Sequence, residues 1–249
     1  MSPSTRVAPK LRHSLRTGQR GIALILVVLF TAFLSALGLG LMLAVFMDRL
    51  ATGNMNGSVA MLYAADAGIG LAARDLGEMV DWNGVLSGLT RSTFTDGVPG
   101  GVRAVPAGGS VDLTASTNRL NCGKSSACTD AQMDANSRER PWGLNNPRWQ
   151  LYAYGPMAQL APLVRPEPCY LVVWVADDGR EEDGDPLSDA DAGESGHGVV
   201  RVHAETFGPA GSKRAIEAEL GRVCRGPGGG ACPLGIRVQS WQELRQAVP

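Results

Sequence analysis

The sequence lacks the residue patterns on which most enzymes depend. Its 249 residues include only three histidines, so a histidine-based catalytic or zinc site has few residues to draw on. No G-x-S-x-G, H-E-x-x-H, Walker or dinucleotide-binding motif is present. The glycine-rich stretch 226–230 does not stand between a strand pattern and a helix pattern, as a phosphate-binding loop would. We therefore expect a protein that is not an enzyme.

The chain also lacks an excess of charge of either sign. Its formal net charge is -1, whereas proteins that bind nucleic acids usually carry a basic excess, so we expect no nucleic-acid partner. The first 20 residues contain no Asp or Glu, and their charges are all positive, at Arg6, Lys10, Arg12, Arg16 and Arg20. The chain therefore begins with a basic tail.

Residues 22–47 lack charge altogether. These 26 residues would form a helix about 39 Å long, which exceeds the roughly 30 Å of a bilayer's hydrocarbon core. Because basic residues precede the run, the positive-inside rule puts the N-terminus in the cytoplasm and the residues after the run outside. The sequence predicts one transmembrane helix.

Two other kinds of segment, a cleaved secretory signal and an uncleaved anchor, also contain an apolar run. A cleaved secretory signal has an apolar core of about 7–15 residues and a small-residue cleavage site. Here the run is longer, and Asp48, Arg49 and Leu50 follow it. A single-pass, uncleaved anchor that presents a calcium- or ligand-binding module remains an alternative.

The residues next to the apolar run are distinctive. Gln19, Arg20 and Gly21 directly precede Ile22. A basic leader that ends in glycine before an apolar helix resembles the class III signal of type IV pilins, which prepilin peptidase cuts after the glycine. The resemblance implies a leader over residues 1–21, cut between Gly21 and Ile22. Major pilins have glutamate as the fifth mature residue, and Leu26 in its place suggests a subunit at a filament tip.

A helical pattern continues beyond the apolar run. Met55, Leu62, Ile69 and Leu76 recur every seven residues, and Val59, Ala65, Ala72 and Met79 fill the same side. We predict one helix over residues 22–80, with its outer half against the rest of the protein. Gly38 and Gly40 are candidate bending points within it.

The tract from Asn54 to Arg74, which contains Tyr63-Ala64-Ala65-Asp66-Ala67-Gly68, resembles the N-terminal domain of PilX-type minor pilins. Those proteins carry an A-A-E-A-G motif, so Asp66 stands where they have glutamate. The resemblance covers residues 18–77. It implies a subunit-packing helix surface that includes Leu26, Gly38, Gly40, Met55, Leu62, Asp66 and Ile69.

The same resemblance implies a function, partners and a location. The chain would be a minor pilin of the priming or tip complex of a type IV pilus, held in the inner membrane with its head in the periplasm and then carried to the cell surface. Its partners would be other minor pilins, the major pilin, the pilus assembly platform and a tip adhesin. A GspK-like tip pseudopilin of type II secretion is the nearest alternative.

Residues 81–249 show short runs broken by glycine and proline, which predicts a β-rich head. Gly208-Pro209-Ala210-Gly211 lies between two alternating runs and predicts a hairpin. The expected fold class is α+β, a long N-terminal transmembrane helix packed on a small antiparallel sheet in the ladle shape of pilins. The candidate strands are 102–105, 148–154, 170–176, 199–207, 214–223 and 234–238.

Five cysteines follow the apolar run, in the compartment where disulfides form. The short spacings favour Cys122 with Cys128 and Cys224 with Cys232, which leaves Cys169, although other pairings stay open. No C-x-x-C pair is present, which argues against a zinc site.

An acidic loop follows the apolar strand 170–176. Eight carboxylates lie within residues 177–191, where they repel one another unless water or a cation separates them. A solvated loop and a calcium site are both open. The candidate calcium ligands are Asp177, Asp178, Glu182, Asp183 and Asp185, although the loop does not follow the EF-hand pattern.

Overall fold

The computed structural model describes residues 19–106, 108–136, 146–160, 162, 168–181, 183–189, 191, 196–224 and 234–244. The chain divides into two units, residues 1–54 and 55–249. Helix α1 spans Gln19–Glu78 and contributes to both. It begins three residues before the predicted start at Ile22 and ends two residues before Val80.

The described part of the first unit is helical throughout. Every described side chain from residue 21 to residue 50 is exposed, and the helix is long and apolar enough, by length and composition, to span a membrane. The hydroxyls of Thr31 and Ser35 donate to the carbonyls of Val28 and Thr31, so these two polar groups are satisfied inside the helix. The helix is not interrupted at Gly38 or Gly40.

The second unit combines the end of α1 with a sheet and short helices. Its elements in chain order are α2 (Asn83–Leu86), β1 (Val102–Ala104), β2 (Ser110–Asp112), α3 (Leu113–Cys122), α4 (Asp130–Ala135), β3 (Gln150–Pro156), α5 (Met157–Leu160), β4 (Tyr170–Asp177), β5 (Val199–Phe207), β6 (Lys213–Cys224) and β7 (Leu234–Glu243).

Strands β3 to β7 form one antiparallel sheet in the order β3-β4-β5-β6-β7. The α+β class and the antiparallel sheet are therefore as predicted. The predicted hairpin joins β5 to β6: Phe207 pairs with Lys213, the Gly208 N–H donates to the Ser212 carbonyl at 2.8 Å, and Ala210 takes a left-handed conformation with φ 54°. Strand β2 and helices α3 and α4 were not predicted.

The inner face of the sheet packs against residues 61–76 of α1. The helix and the sheet approach closely at Gly68, because a Cβ there would lie 2.9 Å from Leu171 Cδ1 and 3.0 Å from Val173 Cγ2. Burial of each large aliphatic side chain in such a core contributes roughly 1.5–3 kcal/mol. The helix side of this core consists of Met61, Ala64, Ala65, Ile69, Leu71, Ala72 and Leu76.

The outer face of the sheet carries a second core. Leu113 of α3 packs here with Trp149, Tyr154 and Trp174, so β4 lies between two layers. All eight residues of β4 are buried, which explains why its sequence is continuously apolar rather than alternating.

The close approach at Gly68 makes a testable prediction. Gly68→Leu should lower the free energy of unfolding by about 1–3 kcal/mol, because the added side chain overpacks the core against Leu171 and Val173. Gly70→Leu is the matched control: a Cβ at Gly70 meets nothing within 4 Å, and leucine favours a helix by up to about 1 kcal/mol relative to glycine. Urea unfolding of the full-length protein in detergent micelles measures both, and equal effects would contradict the packing assignment.

Candidate functional site

The apolar surface of α1 is the largest exposed hydrophobic feature in the described part of the chain. Ile22 and Leu26 are about three-fifths exposed, at 62% and 61%. Gly21, at the predicted leader junction, lies within the helix, and the leader up to residue 18 lies outside the described residues. In a protein surrounded by water, an exposed apolar surface of this size marks a contact with a membrane or with another protein.

The predicted subunit-packing residues in the second unit differ in their solvent exposure. Met55 is exposed, Leu62 is half-buried and Asp66 is exposed. Ile69 is buried in the core between α1 and the sheet, at 3% exposure. Ile69 therefore packs on its own sheet, which corrects its predicted place on a surface that contacts other subunits.

Asp66 of the AADAG tract has an internal partner. The indole Nε1 of Trp241, on the edge strand β7, donates to Asp66 Oδ1 at 2.9 Å. This bond joins the C-terminal part of α1 to the edge strand of the sheet. An aspartate at this position thus has a structural role within the chain itself.

The cysteines agree with the prediction where they are described. Cys122 and Cys128 form a disulfide that closes the connection between α3 and α4. Cys224 ends β6, while Cys232 lies outside the described residues, so that pairing stays a prediction. Cys169 is buried beside the start of β4.

The predicted calcium ligands are split between the interior and the surface. Asp177 and Asp178 are buried, Asp183 and Asp185 are exposed, and Glu182 lies outside the described residues. The carboxylates of Asp183 and Asp185 accept backbone N–H groups of their own loop at 3.0 and 3.1 Å. No group of three or more metal-ligating side chains occurs in the part of the chain that the structure describes, and the calcium site stays a prediction.

Asp177 instead forms a buried acidic pair with Glu181. Asp177 is 1% exposed and Glu181 is fully buried. Burial, together with the neighbouring Glu181, raises the pKa of Asp177 to about 9. The Asp177 carboxyl therefore carries its proton at neutral pH.

The outer face of β5 and β6 holds a cluster of charged side chains that the sequence analysis did not identify. Antiparallel register places His203 opposite Glu217, with Arg201 and Glu205 on the same face two residues away in β5. His203 Nε2 lies 3.2 Å from Glu205 Oε1, and its Nδ1 lies 3.5 Å from Glu217 Oε2. We call Arg201, His203, Glu205, Lys213 and Glu217 the ionic cluster.

Each glutamate of the ionic cluster also pairs with a second cationic side chain. Lys213 Nζ lies 2.6 Å from Glu205 Oε1, and Arg201 pairs with Glu217. The signal in the sequence was Arg201, His203 and Glu205 at every second residue before the predicted hairpin, with Lys213 and Glu217 after it.

The paired charges shift one another's titration. Burial lowers the pKa of His203, but its contacts with Glu205 and Glu217 outweigh burial and raise the pKa above its ordinary value. Burial raises the pKa of Glu205 and of Glu217, yet their cationic partners leave both below the ordinary value. The two carboxylates therefore favour the protonated form of His203.

A cavity of about 360 Å³ opens beside the ionic cluster. His203, Arg201 and Glu217 form its sheet side, and Trp149 lies at its wall. The ring of His203 meets that of Trp149 edge to face, with centroids 5.6 Å apart. The remaining lining comes from α3, α4 and the end of β7: Arg119, Leu120, Asn121, Gly123, Met133, Asn136, Pro147, Gln242 and Leu244.

Comparison with known proteins returned no matching family profile, no matching curated protein and no matching solved structure.

The ionic cluster predicts a large effect of one neutralising substitution. Glu205→Gln should cost about 3 kcal/mol or more at pH 7, since it leaves His203 and Lys213 without their shared carboxylate. Glu243→Gln is the control, because Glu243 pairs with Arg214 at the surface, at 3.4 Å, and should cost less than about 1 kcal/mol. Urea unfolding of the full-length protein measures both.

The pH dependence of this difference follows from the lowered pKa of Glu205. The contribution of Glu205 to the free energy of unfolding is present above its unfolded pKa of about 4.3 and is lost as pH falls through its folded pKa. The gap between the wild type and Glu205→Gln should therefore narrow in acid. A gap that does not change between pH 7 and strong acid would contradict the assignment.

The buried pair of Asp177 and Glu181 predicts that the free energy of unfolding depends on pH in the opposite direction. Between about pH 4 and pH 9 the unfolded chain holds fewer protons at Asp177 than the folded chain, so the free energy of unfolding falls as pH rises. Asp177→Asn removes this titration and should flatten the decline over that range. Asp191→Asn, at an exposed position, should leave the slope unchanged. Thermal unfolding at several pH values tests both, and identical slopes would rule out the buried protonated carboxyl.

Proposed function

We propose that this chain is a PilX-type minor pilin, a structural and assembly subunit of a type IV pilus that has no catalytic role. Residues 22–47 hold it in the inner membrane, and residues 81–249 form a head in the periplasm. After assembly the head reaches the cell surface at the filament tip.

The observation that carries this proposal is the exposed apolar surface of α1. Side chains such as Phe30, Phe33 and Leu41 are each about three-fifths exposed or more. Leaving a large apolar side chain in water rather than in an apolar environment costs roughly 1.5–3 kcal/mol. Such a surface needs lipid before assembly and other apolar helices afterwards, and a pilin meets both environments in turn.

The architecture of the second unit supports the same proposal. An α-helix that follows an apolar run packs along one face of an antiparallel sheet, which is the arrangement that the resemblance to pilins implies. The AADAG tract lies in this packed region, with Ala64 and Ala65 buried and Asp66 bonded to Trp241. Small residues at these positions let the helix approach the sheet.

The charge pattern supports the proposed topology and position. Basic residues precede the apolar run 22–47, and Asp48 and Arg49 follow it, so the N-terminus is expected on the cytoplasmic side. Leu26 leaves residues 22–47 without a carboxylate that would need a partner in hydrocarbon. A subunit that has no carboxylate to pair in hydrocarbon suits the filament tip. Its partners are other minor pilins, the major pilin, an adhesin and the assembly platform.

The state of the native N-terminus tests the proposal. We expect the mature chain to begin at Ile22, and Gly21→Val to block this processing because the peptidase cuts after a glycine. Gly18→Val, the same change three residues earlier in the leader, should leave processing intact. Intact-mass measurement of the protein extracted from membranes and from sheared filaments distinguishes these forms.

An intact leader on the wild-type protein would favour the uncleaved anchor instead. A mature chain that starts beyond Met47 would remove the apolar helix and would contradict the proposal.

A further inference from the structure

The cavity on the outer face of the sheet is a separate feature from the apolar helix surface. It lies on the face opposite α1, among α3, α4 and strands β5 to β7. A role for it therefore goes beyond assembly through the helix.

The cavity walls are fixed by bonds that do not involve a ligand. Asn121 Nδ2 donates to the Trp149 carbonyl at 3.0 Å, and Asn121 Oδ1 accepts from the Trp149 N–H at 2.7 Å. Asn136 Nδ2 donates to the Leu120 carbonyl at 3.1 Å, which joins the end of α4 to α3. The disulfide of Cys122 closes the same region. A pre-formed wall lowers the entropy lost when a ligand binds.

The charges around the cavity are unequal. Two arginines, Arg119 and Arg201, line it together with His203, against one carboxylate, Glu217. Behind them, Glu205 lies 2.6 Å from Lys213 and 3.2 Å from His203. Arg119 is exposed at the rim and has no acidic partner among the residues that the structure describes. The lining therefore favours an anion.

The size and the remaining lining narrow the ligand class. About 360 Å³ lies at the small end of the range for ligand pockets. Trp149, Leu120, Met133 and Leu244 supply apolar and aromatic surface, while Gln242 adds an amide. An inorganic ion would leave most of this apolar surface uncovered, whereas one ring would cover it.

We propose that this cavity binds a single-ring organic carboxylate, with its carboxylate toward Arg119 and Arg201 and its ring beside Trp149 and Met133. A sugar acid and an aromatic acid share this chemistry. The two are distinguished by the probes described below.

Methionine-methyl NMR of the full-length protein in detergent micelles tests the proposal, because the methyl group of Met133 reports on the cavity that it lines. The probes are sodium D-glucuronate and sodium 4-hydroxybenzoate, with D-glucose and 4-hydroxybenzamide as their uncharged counterparts. We expect one of the two acids to shift the Met133 methyl resonance in a saturable way up to about 10 mM, the range of weak small-ligand affinity. Met157, buried in the core on the other face of the sheet, should not shift.

A variant pair isolates the charge contribution. Arg119→Gln should weaken the binding of the acid about tenfold, because it removes a charge-assisted contact from an exposed side chain without disturbing the core. Arg74→Gln, at an exposed position on α1, should leave the affinity unchanged. Met133→Leu assigns the resonance.

Three results would overturn the proposal. They are the absence of any Met133 shift with both acids, equal shifts with the uncharged counterparts, and equal shifts with sodium chloride at the same ionic strength.

Discussion

The contact between residues 61–76 of α1 and the inner face of the sheet is the interaction on which the head depends. The helix contains Gly68, Gly70 and Gly77, each of which weakens it by up to about 1 kcal/mol relative to alanine. Packing must therefore hold this part helical, and Gly68 allows the approach that makes the packing close. Polar bonds reinforce it at the ends of the contact, where Thr206 Oγ1 donates to the Met61 carbonyl at 3.0 Å and the Trp82 indole donates to the Leu76 carbonyl at 3.0 Å.

The two faces of the sheet carry different layers. Residues 61–76 of α1 cover the inner face, and a second, partly polar layer from α3, α4 and the residues around Trp149 covers the outer face. Trp174 joins β4 to this layer. Its ring belongs to the outer core, and its Nε1 donates to Thr117 Oγ1 of α3 at 2.8 Å. The buried charges of the ionic cluster are tolerated there because each has an opposite partner within it. Residues 61–76 of α1 and the charged cavity thus lie on opposite faces of the sheet.

Much of the fold was predictable because it depends on local patterns. The strands β4, β5 and β6 follow continuous or alternating apolar runs, and the glycines at 208 and 211 identify the hairpin. Helix α3 escaped prediction because its ten residues are mostly polar, although Asp112 caps its start and Gly123 ends it in a left-handed conformation. The ionic cluster depends on the register between two strands, and the burial of Ile69 depends on which side of α1 meets the sheet. Neither follows from the spacing of residues along one segment.

The proposed function requires that residues 22–47 remain on the mature chain as the contact between subunits. Site-specific photo-crosslinking from position 34, inside this exposed run, tests it in living cells. Activation of a photoreactive residue in place of Leu34 should yield a covalent product with another pilin in sheared filaments, and a matched residue in place of Leu89, exposed in the head, should yield little. A chain that crosslinks only to lipid or membrane proteins, and never enters the filament fraction, would contradict the account.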